Sequence, residues 1–220
     1  MKNIKLNVPI ISGILILLVV MGSCKKKKTA PTLTLNGDSA ITMCVGDEYI
    51  EAGASAVDAY GDDVEVMITY GYLDVTSSGI YTIGYSATDK NENVSTAEVT
   101  ITVEVCASSM LGDYTISSDC QALGIDLISN DQSILPGLNQ NQFIIDNFNF
   151  AISQITASVE GSNITVPQNT FTIGSPPLST DVTISGAGTV NETGTEMVIN
   201  YTYDAGIAGS GTCTATYTRN

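Results

Sequence analysis

Apolar and polar residues alternate with period two along much of the chain. Val64, Val66, Ile68 and Tyr70 alternate with Asp63, Glu65, Met67 and Thr69. Tyr81, Ile83, Tyr85 and Ala87 alternate with Thr82, Gly84, Ser86 and Thr88, and Val99, Ile101, Val103 and Val105 with Thr100, Thr102 and Glu104. This period gives a strand one buried and one wet face, the pattern of an antiparallel sandwich. Turn signals fall between the runs, among them Asn36-Gly37-Asp38, Val45-Gly46-Asp47, Gly61-Asp62-Asp63, Ser77-Ser78-Gly79 and Asp89-Lys90-Asn91. Beyond residue 110 the same reading gives eight further strands near 113–118, 125–129, 142–146, 155–160, 163–166, 182–186, 196–203 and 212–218. Even spacing and short links predict an up-and-down meander that closes as a barrel or half-barrel, which also disposes of exposed sheet edges. The chain is therefore expected to be all-β, with a sandwich over 31–105 and a barrel-like domain over 106–220.

The N-terminus breaks the pattern. Lys2 and Lys5 precede an apolar run at 10–20, broken only by Ser12 and Gly13 and followed by Met21-Gly22-Ser23-Cys24. The run is shorter than the roughly 20 residues that span a bilayer. A basic start, an apolar middle and small residues before a cleavage point read as a secretory signal over 1–23. The Gly-Ser-Cys ending resembles the lipobox of bacterial lipoproteins. That resemblance implies that Cys24 carries lipid and that 24–30 form a tether. Met21 departs from the Leu usual there. Lys25, Lys26, Lys27 and Lys28 follow, placed to meet anionic headgroups at about 1 kcal/mol each. Lipoproteins of the Bacteroidota that reach the cell surface usually carry acidic residues here. Both the cell surface and the periplasmic face of the outer membrane therefore stay open.

Charge sharpens the picture. The protein has 8 basic and 23 acidic residues, and six of the basic ones precede residue 29. Only Lys90 and Arg219 remain in the body, so its balance is 2 − 23 = −21. Phosphate backbones would repel such a surface, and no nucleic-acid partner is expected. Histidine and tryptophan are absent. The commonest general base and the strongest stacking platform are thus missing, and no Walker or dinucleotide glycine loop is present. The chain is expected not to be an enzyme. Membrane attachment through a lipid, with a glycan or protein as ligand, is the expected partnership. The alternative is a periplasm-facing structural lipoprotein or a carrier of a small glycan, peptide or lipid.

Cys120 shares its phase with Tyr114 and Ile116, and Cys213 with Ala215 and Tyr217. Both point inward on the first and last strands of the meander, so a Cys120–Cys213 disulfide would staple its ends. An oxidising compartment and an even number of cysteines after Cys24 agree with this.

The order Leu33-Thr34-Leu35-Asn36-Gly37, Val45-Gly46-Asp47-Glu48-Tyr49, Gly53-Ala54, Ala56-Val57-Asp58 and 79–89, closing with Asn93, resembles the bacterial immunoglobulin-like module of surface proteins and lipoproteins. The match departs at Glu92, where the family usually has Gly. The resemblance implies a sandwich whose early strand runs beside its last strand, and hence a Cys44–Cys106 disulfide. Gly79 and Tyr81 sit where such folds place a tyrosine corner. Asp89 and Asn93 could hold a turn. Asp58, Asp62, Asp63 and Asp89 could alternatively form a calcium site at one end of the sandwich. Gly112-Asp113-Tyr114-Thr115-Ile116 and Cys213-Thr214-Ala215-Thr216-Tyr217 are similar to small lipocalin-like modules of Bacteroidota lipoproteins. Phe143, Phe148, Phe150 and Phe171 then belong to the core, or to an apolar pocket at the barrel mouth. The longer connections at 147–153 and 175–178 are the expected binding loops.

Overall fold

The computed structural model describes residues 29–122, 124–149, 151–174 and 179–220. The expected signal, Cys24, the four tether lysines, Phe150 and the 175–178 connection lie outside the described residues.

The first domain is built from β1 (Thr32–Leu35), β2 (Ala40–Cys44), β3 (Ala54–Val57), β4 (Asp63–Val64), β5 (Val66–Tyr70), β6 (Gly79–Thr88) and β7 (Val94–Glu104). A four-stranded sheet, β2-β7-β6-β5, faces a smaller one, β1-β3-β4. β2 runs parallel to β7, with Ala40 opposite Thr100 and Cys44 opposite Glu104. This pairing sets Cys44 beside the end of β7, where it is disulfide-bonded to Cys106 across a Cα–Cα distance of 5.5 Å. Ile83, Tyr85, Val99, Ile101 and Val103 form the buried core between the sheets. Tyr81 donates its hydroxyl to the Ser77 carbonyl four residues upstream, at 2.9 Å, and so forms the tyrosine corner.

One expected strand divides in two. At Glu65 the chain leaves the small sheet, where Val64 pairs with Ala56, and joins the large one, where Val66 pairs with Ala87. The β5–β6 register then shifts between Ile68 and Tyr70. The bulge turns the Tyr70 ring onto the outer face over Gly84, where a Cβ would collide with it. Ile68 and Tyr70, which alternation assigns to the core, are 59% and 51% exposed. The two-residue β4 is too short to cover Ile68, and the bulge carries Tyr70 to the opposite face.

After the 3₁₀ turn Ala107–Met110 come β8 (Gly112–Ser118), a short pair β9 (Gln121–Ala122) and β10 (Ile125–Asp126), then β11 (Asp131–Pro136), β12 (Gln142–Asp146), β13 (Gln154–Glu160), β14 (Asn163–Ile173), β15 (Thr180–Val190), β16 (Glu196–Asp204) and β17 (Ser210–Arg219). β8 and β11 to β17 close into an eight-stranded barrel in which β8 pairs with both β11 and β17. The strand expected at 125–129 is displaced to Asp131–Pro136. Leu127 and Ile128 are buried, but in a connection rather than a strand. The inward residues form one continuous buried cluster that includes Tyr114, Phe143, Phe148, Phe171, Ile199, Tyr201 and Tyr217. Inward Gly186 and Gly188 face Tyr201 and Ile199 across β15–β16, where a side chain at Gly188 would strike the β16 backbone. Cys120 and Cys213 are bonded, with a Cα–Cα distance of 5.0 Å.

Candidate functional site at the far rim of the barrel

The register of the sandwich fixes where the chain comes in and where it goes out. Thr32 pairs with Val57, beside Asp58. Lys90, in the β6–β7 turn, reaches Asp58 at 3.5 Å and Asp62 at 3.3 Å. The start of β1 therefore lies at the same tip as that turn. β7 runs away from this tip and delivers Cys106 to the opposite end, where the barrel is attached.

Contacts at that junction come from several segments. Ser78 N–H donates to the Glu192 carbonyl at 2.9 Å, Ser109 Oγ to the Val45 carbonyl at 3.0 Å, and Ala107 N–H to the Gln140 carbonyl at 3.0 Å. Arg219 donates through Nη2 to the carbonyls of Ser109 and Gly194. Tyr114, whose hydroxyl donates to the Met110 carbonyl at 2.7 Å, sits beside it. The barrel turns at 137–141, 160–163 and 191–195 thus face the sandwich. Hairpins alternate ends, so among the described residues 119–122, 124–130, 147–149, 151–153 and 205–209 form the far rim.

A depression of about 380 Å³ lies in this rim, lined by Asp126, Ile128, Ser129, Asn130, Asp131, Asn147 and Asn149. Its walls are stitched from below. Buried Asn149 donates to the Leu127 carbonyl at 3.0 Å and accepts from Ala151 and Ile152 N–H groups at 2.8 and 2.7 Å. Asn147 adopts φ +59°, a left-handed conformation that Asn tolerates better than most residues, and donates to the Asp131 carbonyl at 2.6 Å. Gln132, 3% exposed, donates to the Ser129 and Phe148 carbonyls at 3.0 and 3.2 Å. The lining offers two carboxylates, amides and a hydroxyl above the buried Ile128. Such groups orient a hydroxyl- or amide-bearing ligand by hydrogen bonds. The 147–153 loop was expected at a binding surface and contributes Asn147 and Asn149. No local signal marks Asp126, which lies inside the strand expected at 125–129, or Asp131, which lies in the link after it.

The other candidate residues are placed differently. Phe143, Phe148 and Phe171 fill the core, with Leu127, Ile128 and Phe148 buried toward the far end, so these phenylalanines line no apolar mouth pocket. The calcium reading of Asp58, Asp62, Asp63 and Asp89 is corrected. Asp58 Oδ1 accepts the Tyr60 and Asp62 N–H groups, while the Lys90 ammonium bridges Asp58 and Asp62 and lies 5.1 Å from the Tyr60 ring centre. Asp89 is engaged by the N–H groups of Asn91 and Asn93 and by the Asn93 amide, and Asp63 pairs in β4 with Val57. Lys90 neutralises Asp58 and Asp62, the four carboxylates do not converge as one ligand set, and the residues do not fit calcium. Among the described residues, potential metal ligands converge only at Asp119, Cys120 and Cys213, whose two sulfurs are in the disulfide.

Carboxylates in the sandwich are strongly hydrogen-bonded. Side-chain bonding from Asn93 leads in holding Asp89 below the ordinary range, and the Tyr60 N–H leads for Asp58. Burial works against Glu51, yet hydrogen bonds from Tyr85, Gly53 and Tyr49 keep it lowered. In return, burial and the Glu51 partner push the Tyr49 hydroxyl up to about 12. In the barrel, burial raises Tyr201 and Tyr217, whose hydroxyls lie 2.7 Å apart.

Residues 33–105 match the family model of the bacterial surface protein Ig-like domain. The curated proteins contain no match. Among solved structures, a lipoprotein from Bacteroides thetaiotaomicron is similar at 17% identity, covering 86% of this chain and 100% of that one, with a TM-score of 0.31. The CBM51-2 domain in complex with GlcNAc and INT domains of ZmpB from Clostridium perfringens is similar at 15% identity, covering 86% of this chain and 48% of that one, with a TM-score of 0.29. At these scores neither likeness carries an argument about function.

Proposed function

We propose that the chain is a non-catalytic, lipid-anchored outer-membrane protein with a binding or adhesion role, and that it makes its contact through the far rim of the barrel. The observation that carries this reading is the serial layout. The chain enters the Ig-like sandwich at one tip, and the barrel is pinned to the other. Lipid on Cys24 would then put the bilayer at the first tip. β7, with 11 residues, sets a standoff of about 35 Å before the barrel begins. The described inner positions of the barrel are filled with side chains, so ligand recognition falls to the rim, where Asp126, Asp131, Asn130 and Asn147 converge. The lack of histidine, the hydrogen-bonding character of the rim and the match to a surface Ig-like family support a binding role over catalysis.

The four lysines after Cys24 favour a second reading, in which the protein faces the periplasm. Protease treatment of intact cells separates the two. Shaving of the wild type, with release of a Cys24→Ser variant into the medium, is expected for the surface-anchored protein. Resistance until the outer membrane is broken would move it to the periplasmic face. If Cys24→Ser remains in the membrane fraction, the lipid anchor itself is refuted.

A further inference from the structure

We infer that the free edge of β5 is a docking site for an extended, basic segment of a partner protein, which adds to the four-stranded sheet as a fifth strand. β5 pairs with β6 on one side only and is the terminal strand of its sheet. Met67, Ile68 and Tyr70 are 56%, 59% and 51% exposed, and Tyr72, just beyond, is 77% exposed. Proteins usually guard such an edge with charge, proline or brevity. The other edges of the sandwich follow that rule. β4 has two residues and carries Asp63, while β1 and β2 turn their large apolar residues inward and present Thr32, Thr34, Ala40 and Thr42 outward. β5 alone among these edges shows large apolar side chains. Addition of a strand to an open edge draws affinity from main-chain hydrogen bonds and specificity from alternate side chains.

The site is also preorganised. Tyr70 is held flat over Gly84, with its hydroxyl bonded to Glu98, so its exposed ring loses little freedom on binding. The strip continues along the outer face to Ile80, 75% exposed, on the wall of a cleft of about 350 Å³ that also includes Glu104 and the barrel residues Gly161 and Ser162.

Charge selects the occupant. Glu65 and Glu98 flank the strand, Glu104 lines the cleft, and Lys90 is committed to Asp58 and Asp62 at the tip. A second copy of this chain would bring another body of 2 − 23 = −21 against the first. A segment alternating apolar residues with Lys or Arg satisfies both the strip and its acidic border.

The test uses the 29–220 body labelled for amide NMR and three nine-residue peptides. One alternates Val with Lys, one alternates Val with Glu, and one is the Val/Lys peptide with alternate backbone amides methylated so that it cannot pair as a strand. The Val/Lys peptide should shift the amides of 66–72 and slow their hydrogen exchange. It should bind at least about tenfold more tightly than either control, a difference of about 1.4 kcal/mol. The double variant Met67→Thr, Ile68→Thr should lose that binding with its other amide resonances in place, whereas Ile207→Ala on the far rim should not. Equal binding of the methylated peptide would reduce the effect to unspecific charge attraction and overturn the proposal. Binding by neither Lys peptide would also overturn it, as would concentration-dependent doubling of mass abolished by the Thr variants, which makes the occupant a second copy.

Discussion

The sandwich and the barrel are made from the same alternating strands but are held together differently. Among the described residues the sandwich buries a core of five side chains, with partly buried neighbours around it, whereas the barrel buries a continuous cluster of 29. The barrel has no edges because β8 closes on β17. The sandwich keeps its edges and relies on carboxylates to tie its turns. Burial of a closed sheet concentrates stability, while an open sandwich leaves backbone and apolar surface available for partners. The closed barrel leaves its contact surface to the loops of its rim, whereas the open sandwich exposes strand edges as well.

The strongest way to break the comparison is to open the barrel's staple. Replacing Cys120 and Cys213 together by Ala removes a link across 93 residues, worth about 4 to 5 kcal/mol in the chain-entropy model. The barrel transition in thermal unfolding should fall well below that of the wild type while the sandwich transition stays. A loss under about 1 kcal/mol would mean that strand pairing alone closes the barrel.

Next is Ile101→Ala in the small core. Ile101 is fully buried, and such truncations cost about 2–5 kcal/mol. With so few core residues, the sandwich should lose its cooperative transition, while the barrel, followed by near-ultraviolet dichroism of its buried tyrosines, should remain folded. The matched change Ile199→Ala should leave the barrel folded with a lower midpoint. If Ile101→Ala unfolds both domains together, the junction couples them into one cooperative unit.

Acid should separate them more gently. The lowered carboxyls of Glu51, Asp58 and Asp89 stabilise the sandwich fully above their unfolded values of about 4. That contribution disappears as pH falls through the folded values, because the unfolded chain then binds more protons. The sandwich transition should therefore move down between about pH 5 and pH 2, and Glu51→Gln should flatten the shift. In alkali the sign reverses for the raised tyrosines Tyr49, Tyr201 and Tyr217, whose contribution is lost above about pH 10 in both regions.

The smallest effect is a gain. Glu92 adopts φ +69°, in the left-handed region that favours glycine. Glu92→Gly should stabilise the sandwich by about 1 kcal/mol and leave the barrel transition unmoved, as read by the same melts.

Alternation along the chain made most strands legible, together with the Cys120–Cys213 pair, because phase tells which side of a sheet a cysteine occupies; the Cys44–Cys106 pair followed from the immunoglobulin-like resemblance. It failed where tertiary context decides. Leu127 and Ile128 looked like a strand since burial and periodicity are the same for a short plug, while Gln132 placed an inward polar residue in the true strand. Ile68 and Tyr70 had the phase of a core, but phase reports neither whether the facing sheet is long enough to cover Ile68 nor the bulge that turns Tyr70 to the other face. The rim depression joins Asp126 and Asp131 to Asn147 and Asn149 from two connections, and no local pattern links those segments. The acidic cluster looked fit for calcium because the approach of Lys90 across the sandwich is not a local property.

The Cys44–Cys106 link also changes how the protein would behave under tension. With the proposed lipid anchor and a ligand on the rim, a pull between them would enter near residue 29 and leave near Cys106. Without the link, the unravelled sandwich would pay out 106 − 29 = 77 residues, about 270 Å of extended chain. The disulfide short-circuits the force between positions 44 and 106, so only 44 − 29 = 15 residues can be drawn out, about 50 Å. Most of the module would stay slack under load, ready to refold when the pull stops.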